Sequence, residues 1–222
     1  MSLNAQIGVA LYLEKASICK QTNGKFSLND FHKKPIIADA DTIFSTHFDC
    51  FVVSKAGQKG LYDAEGKCLL PITFNNISFD NSRYWLVNKD GKQGLYSHMG
   101  KEILPPRYDS IEVACSFCTT ASNYFIVKKG LYGLCNNEGK FIVDPQYTAI
   151  KYRYLRFFKL TKGDSCHYLF NYKDIIKDIT LDDAMPITMQ RNEQKLFYFN
   201  YKQGKAWGLL REDGQPIIAV QY

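Results

Sequence analysis

Cys115-Ser116-Phe117-Cys118 places two thiols at the spacing of half a zinc site or of a dithiol redox pair. A structural zinc site needs four ligands, and neither a second such pair nor an HxxxH accompanies this one, so the pair is expected to be incidental. Cys166-His167, with Asp164 just upstream, contains the residue types of nucleophilic catalysis. Adjacent residues on a strand point to opposite faces, however, so this thiol and this imidazole cannot serve each other as nucleophile and base. The four histidines, His32, His47, His98 and His167, share no ligand spacing. The sequence holds no phosphate-cradling glycine loop, nucleophile elbow or metal-binding helix motif. No catalytic residue, cofactor or metal is therefore assigned, and the chain is expected not to be an enzyme.

Lys151-Tyr152-Arg153-Tyr154-Leu155-Arg156-Phe157-Phe158-Lys159 interleaves cations with rings, as grooves for single-stranded nucleic acid do. On a strand, Lys151, Arg153 and Leu155 face one way and Tyr152, Tyr154 and Arg156 the other. That is equally the pattern of a half-buried strand whose Arg stems cover rings. Tyr152, Tyr154 and Arg156 are kept as a candidate binding surface. The net charge of +6 is spread without a run of five like charges, which favours solubility and argues against nucleic acid.

The elements that position these residues come from a repeat. A glycine followed by leucine recurs at Gly60, Gly94, Gly133 and Gly208. A second glycine follows six positions on, at Gly66, Gly100, Gly139 and Gly214, and an aromatic fourteen positions on, at Phe74, Tyr108, Tyr147 and Tyr222. In the clearest copy Tyr84-Trp85-Leu86-Val87 reads as a strand and Asp90-Gly91 as the hairpin signal of a type I′ turn. Gln93 to Ser97 forms a second strand, Gly100 a turn, and Glu102-Ile103-Leu104 a third strand stopped by Pro105-Pro106. The first glycine, inside a strand, marks a bulge or a close backbone approach. The aromatic is expected to pack on the neighbouring unit, because one unit cannot bury a core alone.

Two degenerate units follow the same grammar. In one, Arg156 to Thr161, Tyr168-Leu169-Phe170 and Ile175 to Ile179 are the strands, with Tyr168 in the glycine position. In the other, Val9 to Leu13, Ser17-Ile18-Cys19, the turn Asn23-Gly24-Lys25 and Phe26-Ser27-Leu28 precede an irregular connection through Pro35 to Phe48. The stretch from Ile179 to Gln194 is left as a short helix or long loop.

Aromatics make up 14% and charged residues 23% of the 222 residues, a balance suited to strands. A chain of this length can bury its core as one repeat domain, 1–222, with units at about 1–48, 49–80, 81–115, 120–152, 153–190 and 195–222, the last short of a full unit. Seven irregularly spaced cysteines do not read as a disulfide framework, and reduced, mostly buried thiols are expected. No apolar run reaches the ~18 residues that span a bilayer, and no secretion signal is visible, which points to the cytoplasm.

These residues resemble WG repeats, also called KWG repeats, a bacterial β-rich family with Gly-Lys-Trp-Gly-Leu, then Gly-Lys about six residues later, a Pro-containing strand end and a tyrosine. The name-giving pair stands once, at Trp207-Gly208, and Lys59, Gln93 and Tyr132 replace the tryptophan elsewhere. The second half is better kept, as in Gly100-Lys101-Glu102-Ile103-Leu104-Pro105-Pro106-Arg107-Tyr108. The resemblance implies a β-repeat fold with a binding or scaffolding role.

The expected fold is all-β: tandem antiparallel meander units of three to four strands stacked as an open curved array. The alternative is a β-propeller-like ring, which requires the segment after each motif aromatic, such as Asp109 to Val113, to be a fourth strand. The expected function is non-catalytic binding or scaffolding of protein or peptide. The alternatives are a glycan-binding protein or groove enzyme, and a structural segment of a larger repeat protein.

Overall fold

The computed structural model describes residues 16–46, 49–79, 83–114, 124–154, 157–170, 174–176, 183–191, 194–203, 205–211 and 215–219. Among them the regular elements are strands, arranged as successive antiparallel meanders. The first sheet is β1 (Ser17–Lys20), β2 (Phe26–Asn29) and β3 (Pro35–Ala40). The second is β4 (Thr42–Thr46), β5 (Cys50–Lys55), β6 (Gln58–Tyr62) and β7 (Cys68–Phe74). The third is β8 (Asn76–Phe79), β9 (Tyr84–Lys89), β10 (Lys92–Ser97) and β11 (Glu102–Tyr108). The fourth is β12 (Ser110–Val113), β13 (Tyr124–Lys129), β14 (Leu131–Asn136) and β15 (Phe141–Tyr147). The fifth is β16 (Ala149–Tyr154), β17 (Phe157–Lys162), β18 (Ser165–Phe170) and β19 (Asp174–Ile176). The sixth is β20 (Asp183–Arg191), β21 (Gln194–Gln203), β22 (Ala206–Arg211) and β23 (Pro216–Ile218).

The segment after Phe74, Tyr108 and Tyr147 is thus a strand, but it pairs with the sheet that follows. Asn76–Phe79 bonds to β9 and Ala149–Tyr154 to β17, each as the opening strand of a new meander. The sheets accordingly have the four strands that the ring alternative requires, the first sheet showing three among its described residues.

The chain divides into two compact units, Met1–Ile111 and Glu112–Tyr222. Within the first unit, Leu28, Ala40 and Ile43 pack with Phe51, Val53 and Tyr62 between the first and second sheets. Val52, Leu61, Leu70 and Phe74 of the second sheet then meet Ile77, Trp85, Val87 and Tyr96 of the third. In the second unit, Ile126, Leu134, Val143 and Tyr147 of the fourth sheet meet Ile150, Phe158, Leu160 and Leu169 of the fifth. Each such aliphatic side chain, fully buried, stabilises the fold by roughly 1.5–3 kcal/mol relative to exposure. Alternation along the strands produces two apolar faces per sheet, one for each neighbour.

Three expectations are corrected. Pro35 to Phe48 is not an irregular connection: its described residues form β3 and β4, because Ile37 pairs with Leu28 and Ile43 with Val53. Within Ile179 to Gln194, neither helix nor loop fills the described residues. Asp183–Arg191 is a strand along the outside of the sixth sheet, where Pro186 loses no ladder bond on the free edge. In the fifth sheet the glycine position is held by His167, since Lys162 pairs with Ser165 across the turn and Leu160 with His167, as Val87 does with Gly94. Val9 to Leu13, Cys115, Cys118, His47, Arg156, Gly214 and Tyr222 lie outside the described residues. No helix among the described residues is long and apolar enough to cross a membrane.

The first glycines share one environment. A Cβ at Gly60 would stand 2.9 Å from the Leu70 carbonyl oxygen and 2.9 Å from the Ile72 nitrogen. At Gly94 it would meet Pro106 N at 2.8 Å and Leu104 O at 3.0 Å, at Gly133 Val143 O at 2.8 Å and Pro145 N at 2.9 Å, and at Gly208 Ile218 O at 2.7 Å. These shared contacts are main-chain atoms of the same sheet's last strand, which cannot rotate away; side chains add closer ones at Gly60, where Ile72 would stand at 2.7 Å, and at Gly208, where the Tyr201 ring would stand at 2.6 Å. Gly94→Ala is therefore expected to destabilise the protein by about 1–3 kcal/mol, as overpacking does. Urea unfolding should show a lower midpoint at unchanged slope, and an unchanged midpoint would contradict this account.

Candidate functional site

The glycine contact has a geometric consequence for the motif aromatic. Lys59 pairs with Phe74 and Leu61 with Leu70, so Gly60 alone faces the three residues Pro71 to Thr73. The same shift recurs between Gln93–Tyr108 and Leu95–Leu104, and between Tyr132–Tyr147 and Leu134–Val143. This bulge swings the strand end inward, and Phe74, Tyr108 and Tyr147 are buried. Phe74 then meets the Tyr96 ring of the following sheet edge-on at 5.9 Å. Tyr147 meets His167 at 5.7 Å, with its hydroxyl 3.2 Å from Nδ1. His167 is thereby committed to a structural contact, and Cys166 lies on the opposite face of β18, as strand alternation requires.

The second glycine shapes a turn that the spacing alone did not reveal in full. Its opening residue, Asp30, Asp63, Ser97 or Asn136, accepts through its side chain the N–H of the residue four on, Lys34, Lys67, Lys101 or Lys140. Its main chain bonds the same residue, and the fourth turn position has positive φ at Lys33, Gly66, Gly100 and Gly139. Glycine is needed twice over at Gly100, where a Cβ would stand 2.6 Å from the Leu69 carbonyl of the preceding sheet.

A second polar link escaped the sequence reading. The residue after the motif aromatic ties one sheet to the hairpin of the next. Asp41 Oδ2 accepts the Ala56 N–H at 2.8 Å, and Asn75 Oδ1 accepts the Asp90 N–H at 2.7 Å. Both donors open type I′ turns, with positive φ at Ala56-Gly57 and Asp90-Gly91. Asp41 also binds Lys25, and this ion pair, more than the two main-chain bonds, holds its carboxyl below the ordinary 3.8. The recurrence of Asp, Asn, Asp and Thr at 41, 75, 109 and 148 was the available signal.

What faces solvent is less uniform. The opening strands carry a buried isoleucine at Ile43, Ile77, Ile111 and Ile150, and the next residue is exposed: Phe44, Ser78, Glu112 and Lys151. Each of these strands is a sheet edge, and β4, β8, β12 and β16 contain no proline. The opposite edges carry Pro71, Pro105-Pro106 and Pro145 together with the bulge, which blocks strand addition there. The first unit thus presents Phe44, 47% exposed, and Ser78; the second presents Glu112 and Lys151.

Of the residues predicted as a binding surface, Tyr152 is half-buried and packs edge-on against Phe158 at 5.4 Å, inside the apolar layer of the second unit. Tyr154 lies at the end of β16 opposite Phe157, and Arg156 lies outside the described residues. Of the described thiols, Cys50 and Cys135 are buried, Cys19 and Cys68 are exposed and Cys166 is intermediate. The expectation of mostly buried thiols is corrected for a plain reason. Cys19 occupies the position of Val53 in the first sheet, where no preceding sheet covers it among the described residues, and Cys68 opens an edge strand. Burial pushes the Cys50 thiol up to about 11, helped by Asp63, Asp49 and Glu65, and the Cys135 thiol up to about 12.

Residues 94–114 and 132–154 match the WG containing repeat family. These two segments of the chain are similar to WG repeats. Both matched segments begin at the glycine strand and end in the opening strand of the next sheet, so a WG repeat spans a sheet boundary. No curated protein matches the chain. Among solved structures, a eukaryotic initiation factor aligns at 9% identity over 94% of this chain and 73% of its own, with a TM-score of 0.32. BBS1N, in a structure with ARL6DN, aligns at 10% identity over 94% and 77%, TM-score 0.29. PorZ of Porphyromonas gingivalis aligns at 8% identity over 93% and 31%, TM-score 0.28.

Two outcomes follow from this chemistry. Asp41 gives its stabilisation in full above its unfolded value, near pH 4, and loses it as pH falls through the lower folded value. The melting-temperature gap between wild type and Asp41→Asn should therefore be present at neutral pH and vanish at the acid end, and a constant gap would contradict the link. In the native chain iodoacetamide should alkylate Cys19 and Cys68 while sparing Cys50 and Cys135, and unfolding should level the four. Mass mapping of labelled peptides reads this directly.

Proposed function

We propose that this chain is a non-catalytic binding or scaffolding protein whose WG repeats recognise protein or peptide along the opening strands of their sheets. The observation that supports this reading is the division of labour at successive positions of those strands. The isoleucine is constant and buried at Ile43, Ile77, Ile111 and Ile150. The neighbour is exposed and different each time, as aromatic, hydroxyl, carboxylate and ammonium. A repeat array that holds its frame and varies its outward residues is built for recognition. An edge strand free of proline further offers main-chain N–H and C=O groups, to which an extended peptide can add.

Phe44 is the natural anchor in the first unit, being the most exposed large apolar side chain on these strands. Exposed Leu131, which opens a glycine strand instead, serves as the control. A partner captured by the intact chain, then purified and titrated, should bind Phe44→Ser about tenfold more weakly, the scale of a modest interface anchor. It should bind Leu131→Ser as it binds wild type, with melting temperatures alike. Equal affinity for all three proteins would remove the opening strands from the interface.

A further inference from the structure

The fifth sheet carries two cations side by side. Lys151 of β16 and Lys159 of β17 are directly opposed in the register, so both side chains leave the same face. Opposed positions bring Cβ atoms within about 4.5–5.5 Å, and like charges there are destabilising. Neither lysine forms an ion pair with a carboxylate among the described residues. Glu112, at the equivalent position of the preceding sheet, is exposed and pairs with neither. Beside the pair on this face, Ala149, Thr161, Cys166 and Tyr168 are neutral, while alternation also sets Arg153 of β16 there and the register sets Asp174 of β19 on its far edge, opposite Phe170. The face is closed at Tyr168, which is 1% exposed, and open towards the free edge, where Lys151 is exposed and Lys159 half-buried.

A like-charge pair at an open strand edge lowers its own energy by taking an anion between its members. Tyr152 and Phe158 leave by the opposite face and pack in the core, so these two rings are not available for base stacking. We infer that Lys151 and Lys159 form a receptor for the carboxylates of an acidic, extended peptide segment added along the β16 edge. This rests on the proposed recognition by opening strands and names the partner chemistry of one of them.

Fluorescein-labelled decaglutamate is the probe, titrated by anisotropy into the full chain at low and at raised salt, with oligo-dT as competitor. Wild type should bind it with an affinity that falls as salt rises. Lys151→Glu should weaken binding by about tenfold or more, the scale of losing a close charge pair. Its melting temperature should hold or rise, because the substitution replaces a repulsive cross-strand pair by an attractive one. Lys159→Gln should weaken binding without inverting the charge. Retained affinity in both variants, or no binding by wild type, overturns the inference. Stronger displacement by oligo-dT than by unlabelled decaglutamate overturns it in favour of nucleic acid. The Phe44 titration concerns another sheet and another partner contact, so its outcome separates failure of this receptor from failure of opening-strand recognition as a whole.

Discussion

The structure depends on a side chain that is absent. At the first glycine of each clear repeat, the last strand of the same sheet crosses so near that a methyl group would overlap one of its carbonyl oxygens and, at Gly60, Gly94 and Gly133, the nitrogen two residues on. That crossing is the bulge, and the bulge sets the aim of the aromatic that follows. Three residues of one strand pass a single glycine of the other, so the strand end turns inward and places Phe74 or Tyr147 beneath the next sheet. The fourteen-residue interval from glycine to aromatic is this detour written in sequence. A regular ladder would have left the same side chain elsewhere.

Repeat and sheet are therefore out of phase, and the offset provides the cohesion. A matched repeat contributes two strands to one sheet and one strand to the next. Within a unit, the boundary between sheets is crossed by covalent chain, by the buried aromatic, and by a hydrogen bond such as Asn75 to Asp90. Removing one sheet would leave its neighbour's apolar face open and its own aromatic without a partner. Stability shared in this way between neighbours is the expected behaviour of repeat architectures.

Much of the frame was legible because the residues that build it have few substitutes. Only glycine tolerates the contacts at Gly94 and combines positive φ with the close approach at Gly100, and Asp-Gly announces its own turn type. The units that were hard to read are those where the frame is met by other means. In the first sheet Lys33 holds the positive φ that glycine holds elsewhere, and Ala40 stands where the aromatic would be. In the fifth, His167 replaces the glycine, and β18 pairs with β19 over three residues without a shift. The opening strands were obscure because four to six residues around one isoleucine give a weak periodic signal. The outward residues were least legible of all: a surface that differs at each repeat has no recurrence to detect, and only the register reveals that Lys151 faces Lys159.

The two letters that name the repeat are unequal in physical terms. The position before the glycine is half-buried whether it holds Lys59, Gln93, Tyr132 or Trp207. At two of the positions without tryptophan a side-chain hydrogen bond reaches the opening strand of the next sheet: Lys59 donates to Asn76, and Gln93 accepts the N–H of Ile111. A partly exposed site that must only reach the next strand can be filled by rings, amides or ammonium groups at little cost. The glycine is fixed by steric exclusion against main chain, which no chemistry of the side chain can relieve. Loss of the tryptophan therefore leaves the stacking of sheets intact and changes what the repeat shows to solvent, whereas loss of the glycine must abolish or redirect the bulge. The residues most free to vary are those at which recognition can be altered without rebuilding the fold.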